Sequence, residues 1–286
     1  MQTKEQGHEV RPLVRSLASR ASADGAGVKI QRVDGFQDPA FSPFLMLDEI
    51  RSEQADDYIA GFPPHPHRGI ETLTYLLKGE FEHRDHLGNR GKVSAGGAQW
   101  MRAGRGIIHS EMPSVAEGGM HGFQLWINMA AAHKMDNPKW RDIQAEEIPQ
   151  LPLDQQGSLA RLIAGHWTIG GRTHSGALQE SAAVADFRLS PGASIRLPLP
   201  FEHNVMVFVY LGELETERGT VKDSNMLLYG EGQALQLRAG DKGAGLLVLH
   251  GRPLREPVVH YGPFVMNSRE EIEQALRDYH DGTLTD

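Results

Sequence analysis

Two pairs of residues in this sequence have the types and the spacing of a metal site. The segment GFPPHPHRGIETLTYLLKG places His65 and His67 two residues apart, and GRGIIHSEMP places His109 and Glu111 at the same spacing. Side chains at positions i and i+2 of a strand point to the same face. If the two strands are neighbours, three imidazoles and one carboxylate converge, and such a set can bind a divalent metal ion.

Spacing alone leaves several alternatives open around these residues. Glu71 has the same parity as His65 and His67, so an unbroken strand would turn it toward the same face and make it a rival to Glu111. His121 could orient a ligand or be a hydrogen-bonded surface histidine, and we favour the surface position. The chain holds 14 histidines, and these are expected on the surface or in turns: His83, His86, His174, His260 and His280.

Composition excludes several classes of protein. The 286 residues suffice for two modest domains. The chain contains no cysteine, which excludes a disulfide scaffold, an iron–sulfur cluster and a thiolate zinc site. The formal net charge of -8 argues against direct binding to nucleic acid or to an anionic membrane. No apolar run reaches the roughly 18–20 residues of a membrane span, and no signal-peptide pattern opens the chain, so a cytoplasmic location is expected.

Short alternating apolar segments separated by glycine and proline predict an all-β chain. The predicted strands are Gly27–Arg32, Gly69–Leu77, Gly79–His86, Gly97–Arg102, His121–Asn128, Leu159–Ala164, Ala183–Leu189, Ala193–Leu197, Asn204–Leu211, Met226–Tyr229, Ala234–Leu237 and Gly245–His250. The polar, proline-marked stretch Ala130–Gln156 has no clean period and is interpreted as a linker between two β domains.

One helix is predicted near the C-terminal end. Ser268 followed three residues later by Glu271 is the pattern of a capping box, and Gly282 is placed to end the helix. Between them, four apolar residues have the spacing of one helix face: Ile272, Ala275, Leu276 and Tyr279.

The two halves of the chain resemble each other. Glu71–Glu80 and Asn204–Glu213 are both apolar strands that end in Gly-Glu. A repeated β unit of this size indicates duplication. The first copy carries His-x-His, whereas the second has only His203 at the matching place. The two copies predict two domains, residues 1–145 and residues 146–286, of which the first carries the candidate metal residues and the second ends in the helix.

Taken together, the motifs resemble the cupin superfamily in the form found in the pirin family. The segment from His65 to Gly79 resembles the first cupin motif, and Gly88–Gly91 with Ala103–Glu111 resembles the second pirin motif. The resemblance extends roughly from residue 10 to residue 280, and four more segments support it: Leu45–Glu49, Gln124–Asn128, Gly251–Pro257 and Tyr261–Asn267. One departure from the general cupin pattern is Gly104, where proline is usual.

This resemblance implies a bicupin fold. Two antiparallel β-barrels of the jelly-roll type are expected, the first with metal and the second without, followed by a C-terminal helix. Pirins take their ligands from the positions that are here His65, His67, His109 and Glu111, and the ion is expected to be Fe(II). The same donors also accept other divalent ions, so Mn, Ni, Cu, Co and Zn remain compatible with the site.

The resemblance also implies an enzymatic activity. Bacterial and human pirins are associated with quercetin 2,3-dioxygenase activity, in which a flavonol is cleaved with O2 and carbon monoxide is released. The metal would lower the pKa of the 3-hydroxyl, and Glu111 would accept its proton as the catalytic base. Apolar residues near the motifs could line a pocket for the flat aromatic substrate, although each could equally belong to the core: Phe62, Met101, Ile107, Met112, Phe123 and Trp126.

The same resemblance implies an alternative function. Eukaryotic pirins act as iron-dependent partners of transcription regulators, and some bacterial pirins bind metabolic enzymes. In that function the redox state of the iron would change the affinity for a protein partner. A third function, a cupin that isomerises or stores a small molecule, is disfavoured by the His-x-Glu ending of the second motif.

Overall fold

The computed structural model describes residues 9–114, 118–179 and 182–286. Its strands, numbered in chain order, and its helix are β1 (Leu13–Ala18), β2 (Arg20–Asp24), β3 (Val28–Asp34), β4 (Phe44–Ser52), β5 (Phe62–His67), β6 (Ile70–Lys78), β7 (Glu80–Asp85), β8 (Arg90–Ser94), β9 (Ala98–Arg102), β10 (Ile107–Pro113), β11 (Met120–Asn128), β12 (Lys139–Ile143), β13 (Gln150–Pro152), β14 (Leu159–Ala164), β15 (His166–Ile169), β16 (Arg172–Ser175), β17 (Ala182–Leu189), β18 (Ser194–Pro198), β19 (Asn204–Thr216), β20 (Gly219–Lys222), β21 (Asn225–Tyr229), β22 (Ala234–Gly251), β23 (Val259–Tyr261), β24 (Phe264–Met266) and α1 (Arg269–His280).

The chain divides into two compact units, and each unit is built from two separate segments. The first unit comprises Arg20–Glu147 and Leu254–Asp286, and the second comprises the described part of Met1–Ser19 with Ile148–Pro253. The change of unit between Glu147 and Ile148 lies two residues after the predicted boundary between residues 145 and 146. The described residues up to Ser19, however, belong to the second unit, and Leu254–Asp286 belong to the first. The predicted first domain began at residue 1, but residues 1–8 lie outside the described chain.

Two sheets make up most of the first unit. A seven-stranded sheet has the order β12-β9-β6-β11-β4-β3-β2, and a four-stranded sheet has the order β5-β10-β7-β8. Alternation along β3 explains the face that it buries, because Val28 and Ile30 are buried and Lys29 is exposed. Phe81 and Val93 of the smaller sheet pack with Ile30 of the larger sheet in one apolar cluster.

The second unit is formed around two long strands. Its sheet follows the path β1-β21-β19-β22-β17-β14-β13, with β18 also paired to β22 and β20 also paired to β19. Its core is an apolar cluster that includes Phe187, Val207 and Val248.

The two units share one strand order, which supports duplication. Along the two paths, β9, β6, β11 and β4 occupy the places that β21, β19, β22 and β17 occupy in the second unit. The pair β5 and β10 corresponds in the same way to β18 and the first part of β22. In the second unit this ladder pairs Leu197 with Leu235, and both leucines are fully buried. The ladder of the second unit that corresponds to the histidine-bearing ladder of the first thus contributes aliphatic side chains to the core.

The helix and its cap are as predicted. Ser268 accepts a hydrogen bond from the backbone N–H of Glu271, and the Glu271 side chain accepts one from the backbone of Ser268. Ile272 and Ala275 are buried in a cluster with Phe264. The remaining part of the predicted apolar stripe is partly exposed, because Leu276 and Tyr279 lie at the edge of this contact.

Two expectations about the architecture are corrected. The predicted all-β bicupin fold is present, but its strands form open sheets rather than closed barrels, because within the described residues the end strands of each path are not paired to each other. The predicted linker Ala130–Gln156 contains the strands β12 and β13, which pair with β9 and β14. Among the described residues, no helix is long and apolar enough to cross a membrane.

Candidate metal centre

The histidines singled out by their spacing meet where β5 and β10 pair. His109 lies directly opposite His65, and Ile107 lies opposite His67. The Nε2 atoms of His65 and His67 are 3.0 Å apart. The ligand atoms of the three histidines lie within 4.8 Å of one another. The described part of the chain therefore contains a three-histidine group that could hold a metal ion.

Hydrogen bonds of the imidazole rings turn their lone pairs toward one another. The Nδ1 atom of His65 lies 2.9 Å from the carbonyl oxygen of Pro63, and that of His67 lies 3.3 Å from the carbonyl oxygen of Pro263. A carbonyl oxygen only accepts, so each Nδ1 carries the hydrogen and each Nε2 keeps its lone pair. The buried Nε2 of His109 has no hydrogen-bond partner among the described residues.

This arrangement fits a metal ion. Two lone pairs that face each other at 3.0 Å repel unless a cation lies between them. Two nitrogens that each lie about 2.1 Å from one ion, at a right angle, are about 3 Å apart. The residues present, three neutral imidazoles without thiolate, suit a divalent transition metal but do not select one.

Burial keeps these imidazoles in the form that binds metal. Desolvation lowers the pKa of His67 well below its usual range, and the neighbouring His65 lowers it further. The pKa of His109 is lowered for the same two reasons, burial first and then the adjacent imidazoles. Both rings are therefore neutral at neutral pH, as a metal ligand must be.

The two candidate carboxylates have different surroundings. Glu111 lies in the wall of the same cavity as His65 and His67. Its Oε1 accepts a hydrogen bond of 3.1 Å from the Thr74 hydroxyl, and its Oε2 accepts one of 3.1 Å from the Gln124 amide. These two donors hold the carboxylate beside the histidines, although it is not part of the three-histidine group.

Glu71 is held by other partners. Its Oε1 accepts a hydrogen bond of 2.8 Å from Arg102, and its Oε2 accepts one of 3.1 Å from the Trp100 indole. Both partners lie on β9, the strand next to Glu71 in the larger sheet. The carboxylate is therefore occupied by an ion pair away from the histidine group, although its parity along the sequence matched that of the histidines.

One histidine was wrongly placed on the surface by sequence reasoning. His83 on β7 is 0% exposed and lies directly opposite Glu111. Its ring packs against Trp140 and lies 5.1 Å from the ring of His109. The available signal was its parity with Phe81, which is buried on the same strand.

Two further histidines lie outside the three-histidine group. His121 was expected at the surface but is largely buried, and its Nε2 donates to Oε1 of Glu49 at 2.8 Å. His260 is exposed, but its ring stacks on Phe36 at the wall of the cavity. Sequence reasoning did not connect His260 with the site, because it lies almost two hundred residues from His65 along the chain.

A cavity of about 1160 Å³ opens onto the histidine group. Its wall includes His65, His67, Glu111 and Gln124, and its apolar part includes the ring of Trp126. That ring meets His67 edge to face at 5.1 Å. Of the residues predicted to line a pocket, Phe62 and Trp126 do so. Four others do not line it: Met101, Ile107 and Phe123, which are buried in the core, and Met112, which is partly exposed.

Comparison with known proteins agrees with this geometry. Residues 27–127 match the family model described as pirin, and residues 184–285 match the pirin C-terminal cupin domain. A Vibrio cholerae protein provisionally named quercetin 2,3-dioxygenase is 51% identical over 95% of this chain and 97% of its own. Human pirin is 37% identical over 92% of this chain and 90% of its own.

Solved structures show the same fold. A crystal structure of quercetin 2,3-dioxygenase from Acinetobacter baumannii superposes with a TM-score of 0.87 at 31% identity, covering 96% of this chain and 98% of that one. An Escherichia coli pirin in complex with nickel(II) superposes with a TM-score of 0.60 at 25% identity, covering 82% of this chain and 96% of that one. With both family models matched and relatives of this similarity along nearly the whole chain, this chain belongs to the pirin family.

Proposed function

We propose that this protein is a metal-dependent dioxygenase that cleaves quercetin-type flavonols with O2 and releases carbon monoxide. The observation that carries the proposal is the three-histidine group at the wall of a cavity large enough for a flat three-ring molecule. The names of two similar proteins, one from Vibrio cholerae and one from Acinetobacter baumannii, support the same chemistry.

His65, His67 and His109 are proposed to hold the ion, with Glu111 as the fourth donor and Fe(II) as the metal. When bound, such an ion supplies Lewis acidity toward the flavonol oxygens and a route for electrons to dioxygen. Two features of the chain favour Glu111 over Glu71 as the carboxylate. Glu111 shares the cavity with the histidines, whereas Glu71 is bound by Arg102 and Trp100.

Glu111 is also proposed to accept the proton of the flavonol 3-hydroxyl. A general base must be within hydrogen-bond reach of the proton that it removes, and Glu111 faces the cavity beside the histidines. Thr74 and Gln124 fix the orientation of its carboxylate through the two 3.1 Å hydrogen bonds. Trp126 provides a flat apolar surface at which the substrate rings can lie.

The proposal is tested with protein that is stripped of metal and reloaded anaerobically with Fe(II), Mn, Ni, Cu, Co or Zn. Quercetin and O2 are then added, and the loss of flavonol absorbance and the release of carbon monoxide are measured. We expect both signals with at least one metal and neither with the stripped protein. Failure of every metal form to consume quercetin would overturn the enzymatic function and leave the metal-dependent protein partner as the alternative to test.

A matched pair of variants separates the two carboxylates. We expect Glu111→Gln to lower the rate by about 10²–10⁴-fold, which is the usual contribution of a general base. Glu71→Gln removes the same charge from the same unit and is expected to keep metal content and rate near those of the unmodified protein. Equal losses in the two variants would contradict the assignment of Glu111.

A further inference from the structure

A row of polar side chains crosses the larger sheet of the first unit. Asp48 on β4 lies directly opposite Arg32 on β3 and directly opposite Gln124 on β11. Gln124 in turn lies opposite Thr74 on β6. Residues that are directly opposite in a ladder share one face of the sheet. At one end of the row, Gln124 and Thr74 donate hydrogen bonds to Glu111. At the other end, Asp48 pairs with Arg32.

At the far end, Asp48 is buried and Arg32 is partly exposed, and Asp48 has more acceptor positions than Arg32 fills. Arg32 donates from Nε to Oδ1 of Asp48 at 2.7 Å and from Nη2 to Oδ2 at 2.6 Å. Asp48 is 5% exposed, and both residues line the cavity that contains the histidines. A carboxylate has about four acceptor positions, so the two bonds from Arg32 leave about two. A ligand hydroxyl in the cavity could fill them.

The composition of the cavity wall restricts the charge of its ligand. Hydrogen-bond acceptors and negative charge dominate, because five carboxylates face two guanidinium groups: Asp24, Asp34, Asp38, Asp48, Glu111, Arg20 and Arg32. Desolvation also raises the pKa of Asp48, although Arg32 opposes that effect. A ligand with several hydroxyl donors complements these acceptors, whereas a ligand carboxylate placed beside Asp48, on the part remote from the histidines, would be repelled.

The apolar part of the wall restricts the shape of the ligand. It is formed by rings and unbranched or branched aliphatic side chains: Phe36, Met46, Ile50, Phe62 and Trp126. Asp48 is one strand away from Gln124, which corresponds to about 5 Å across the sheet. A planar molecule of two or three fused or linked rings could thus present one oxygen beside Glu111 and a phenolic hydroxyl beside Asp48.

We propose that Asp48, fixed in place by Arg32, is a specificity-determining residue that accepts a hydrogen bond from a phenolic hydroxyl on a part of the substrate remote from Glu111. This proposal rests on the proposed function and deepens it, because it names neutral, polyhydroxylated planar aromatics as the preferred substrates. Aromatics that lack the remote hydroxyls, and those that carry a carboxylate, are disfavoured.

The test measures equilibrium binding of two flavonols without oxygen, so that no turnover is needed. Quercetin carries several remote hydroxyls, whereas 3-hydroxyflavone keeps the ring frame and the 3-hydroxyl only. For Asp48→Asn we expect quercetin binding to weaken about 10–100-fold, as for a lost hydrogen bond to a charged group, and 3-hydroxyflavone binding to change less than about threefold. Asp34→Asn, a carboxylate of the same wall outside the row, is expected to affect both ligands equally.

The outcomes separate this proposal from the proposed function. If Asp48→Asn weakens binding of quercetin selectively but no metal form of the unmodified protein consumes O2 with quercetin, the role of Asp48 in binding is supported and the proposed dioxygenase activity is overturned. Turnover of quercetin together with equal effects of Asp48→Asn on both flavonols overturns the specificity residue alone. If neither flavonol binds to the unmodified protein, both proposals fall. If Asp48→Asn does not fold, Asp48→Glu keeps the ion pair, shifts the acceptor by one methylene and is expected to lower quercetin affinity selectively.

Discussion

At the scale of single residues, the hydrogen bonds of Glu111 show which side chains orient its carboxylate. Thr74 and Gln124 each donate one hydrogen bond of 3.1 Å to it. Both donors are side chains of strands in the larger sheet, whereas Glu111 is on the smaller one. The orientation of the carboxylate therefore depends on the packing of the two sheets and not on its own strand.

Replacing Thr74 by valine tests this dependence. Valine has nearly the shape of threonine but donates no hydrogen bond, so we expect Thr74→Val, assayed at saturating metal, to lower the rate of flavonol cleavage about tenfold. Thr72→Val is the control, because Thr72 is buried two residues earlier on β6 and has no bond to Glu111. Rates that fall equally in the two variants would show that Thr74 is only part of the packing.

A second residue-scale prediction concerns the buried Lys134. Its Nζ donates to the carbonyl oxygens of Gly69 and Val265 and to Oδ1 of Asn128, at 2.7–2.9 Å. Removal of the Lys134 ammonium group leaves three buried acceptors without this donor, so we expect Lys134→Met to lower the free energy of unfolding by about 2–4 kcal/mol. Denaturant titration measures that change, and retention of full stability would contradict the structural role.

The same lysine predicts a pH dependence of stability. Burial lowers its pKa from 10.5 in the unfolded chain to about 8. Between these values the unfolded chain binds more protons at this site than the folded protein does, so its contribution to the free energy of unfolding rises with pH. The difference in unfolding free energy between the unmodified protein and Lys134→Met should therefore increase from pH 8 to pH 10. A difference in unfolding free energy that stays constant or falls over this pH range would contradict the prediction.

Sequence patterns located the histidines but not all of their neighbours. The i, i+2 spacing of His65 with His67, and of His109 with Glu111, predicts a shared face within each pair because the period of a strand is two. It could not decide between Glu71 and Glu111, since parity says nothing about which strand lies opposite. His83 shares its parity with the buried Phe81, but its place beside the histidine group follows from the pairing of β7 with β10 and could not be predicted.

At the scale of elements, the end of β5 is held by the C-terminal segment of the same unit. Arg68 follows the histidine His67 directly and pairs through Nη1 with Asp278 of α1 at 2.7 Å. Its carbonyl oxygen accepts a hydrogen bond from the backbone N–H of Val265. Gly69, at φ +82°, has no room for a side chain, because a Cβ would lie 2.0 Å from the Val265 carbonyl oxygen. Two consecutive residues beside the metal group, Arg68 and Gly69, thus contact β24 or α1.

A double-mutant cycle on Arg68 and Asp278 measures this connection. The pair is mostly buried, so we expect a coupling of about 1–3 kcal/mol in unfolding free energy and weaker metal binding in each single variant. The exposed pair Arg269–Glu273 on the same helix is the control, with an expected coupling below about 0.5 kcal/mol. Similar couplings for both pairs would show that the Arg68 pair has no special effect on β5.

The central strands of both units were predicted, but several other strands were not, among them β4 and β24. Apolar alternation and the Gly-Glu endings indicated two related β units, and the shared order of strands agrees with them. The strands β12 and β13 were missed because their polar residues, Lys139 and Gln150 among them, lie at sheet edges where one face is solvated. Edge strands carry a weak hydrophobic pattern, so composition made this stretch resemble a linker.

At the scale of the whole molecule, the first unit is not contiguous in sequence. Its metal group lies in the segment Arg20–Glu147, but the segment Leu254–Asp286 completes its hydrogen bonding and its core. Phe264, Val265 and Met266 are almost entirely buried there. Local sequence patterns cannot reveal such a return of the chain, because the contacts join residues almost two hundred positions apart.

A chain that ends at Pro253 tests whether the returning segment is needed for the site. It keeps His65, His67, His109 and Glu111, but it loses the Pro263 carbonyl that fixes the His67 ring and the α1 carboxylate that pairs with Arg68. We expect this chain to bind metal at least tenfold more weakly, as when the hydrogen-bond partner of a ligand is removed.

Competition with a chelator measures the affinity, and calorimetry follows the unfolding of each unit. The second unit retains all of its own residues and serves as the internal control, so its transition should persist while that of the first unit shifts to lower temperature. Stoichiometric metal at unchanged affinity in the shortened chain would mean that the four candidate donors assemble without their C-terminal support, and that the contacts of His67, Arg68 and Gly69 only seal the surface of the unit.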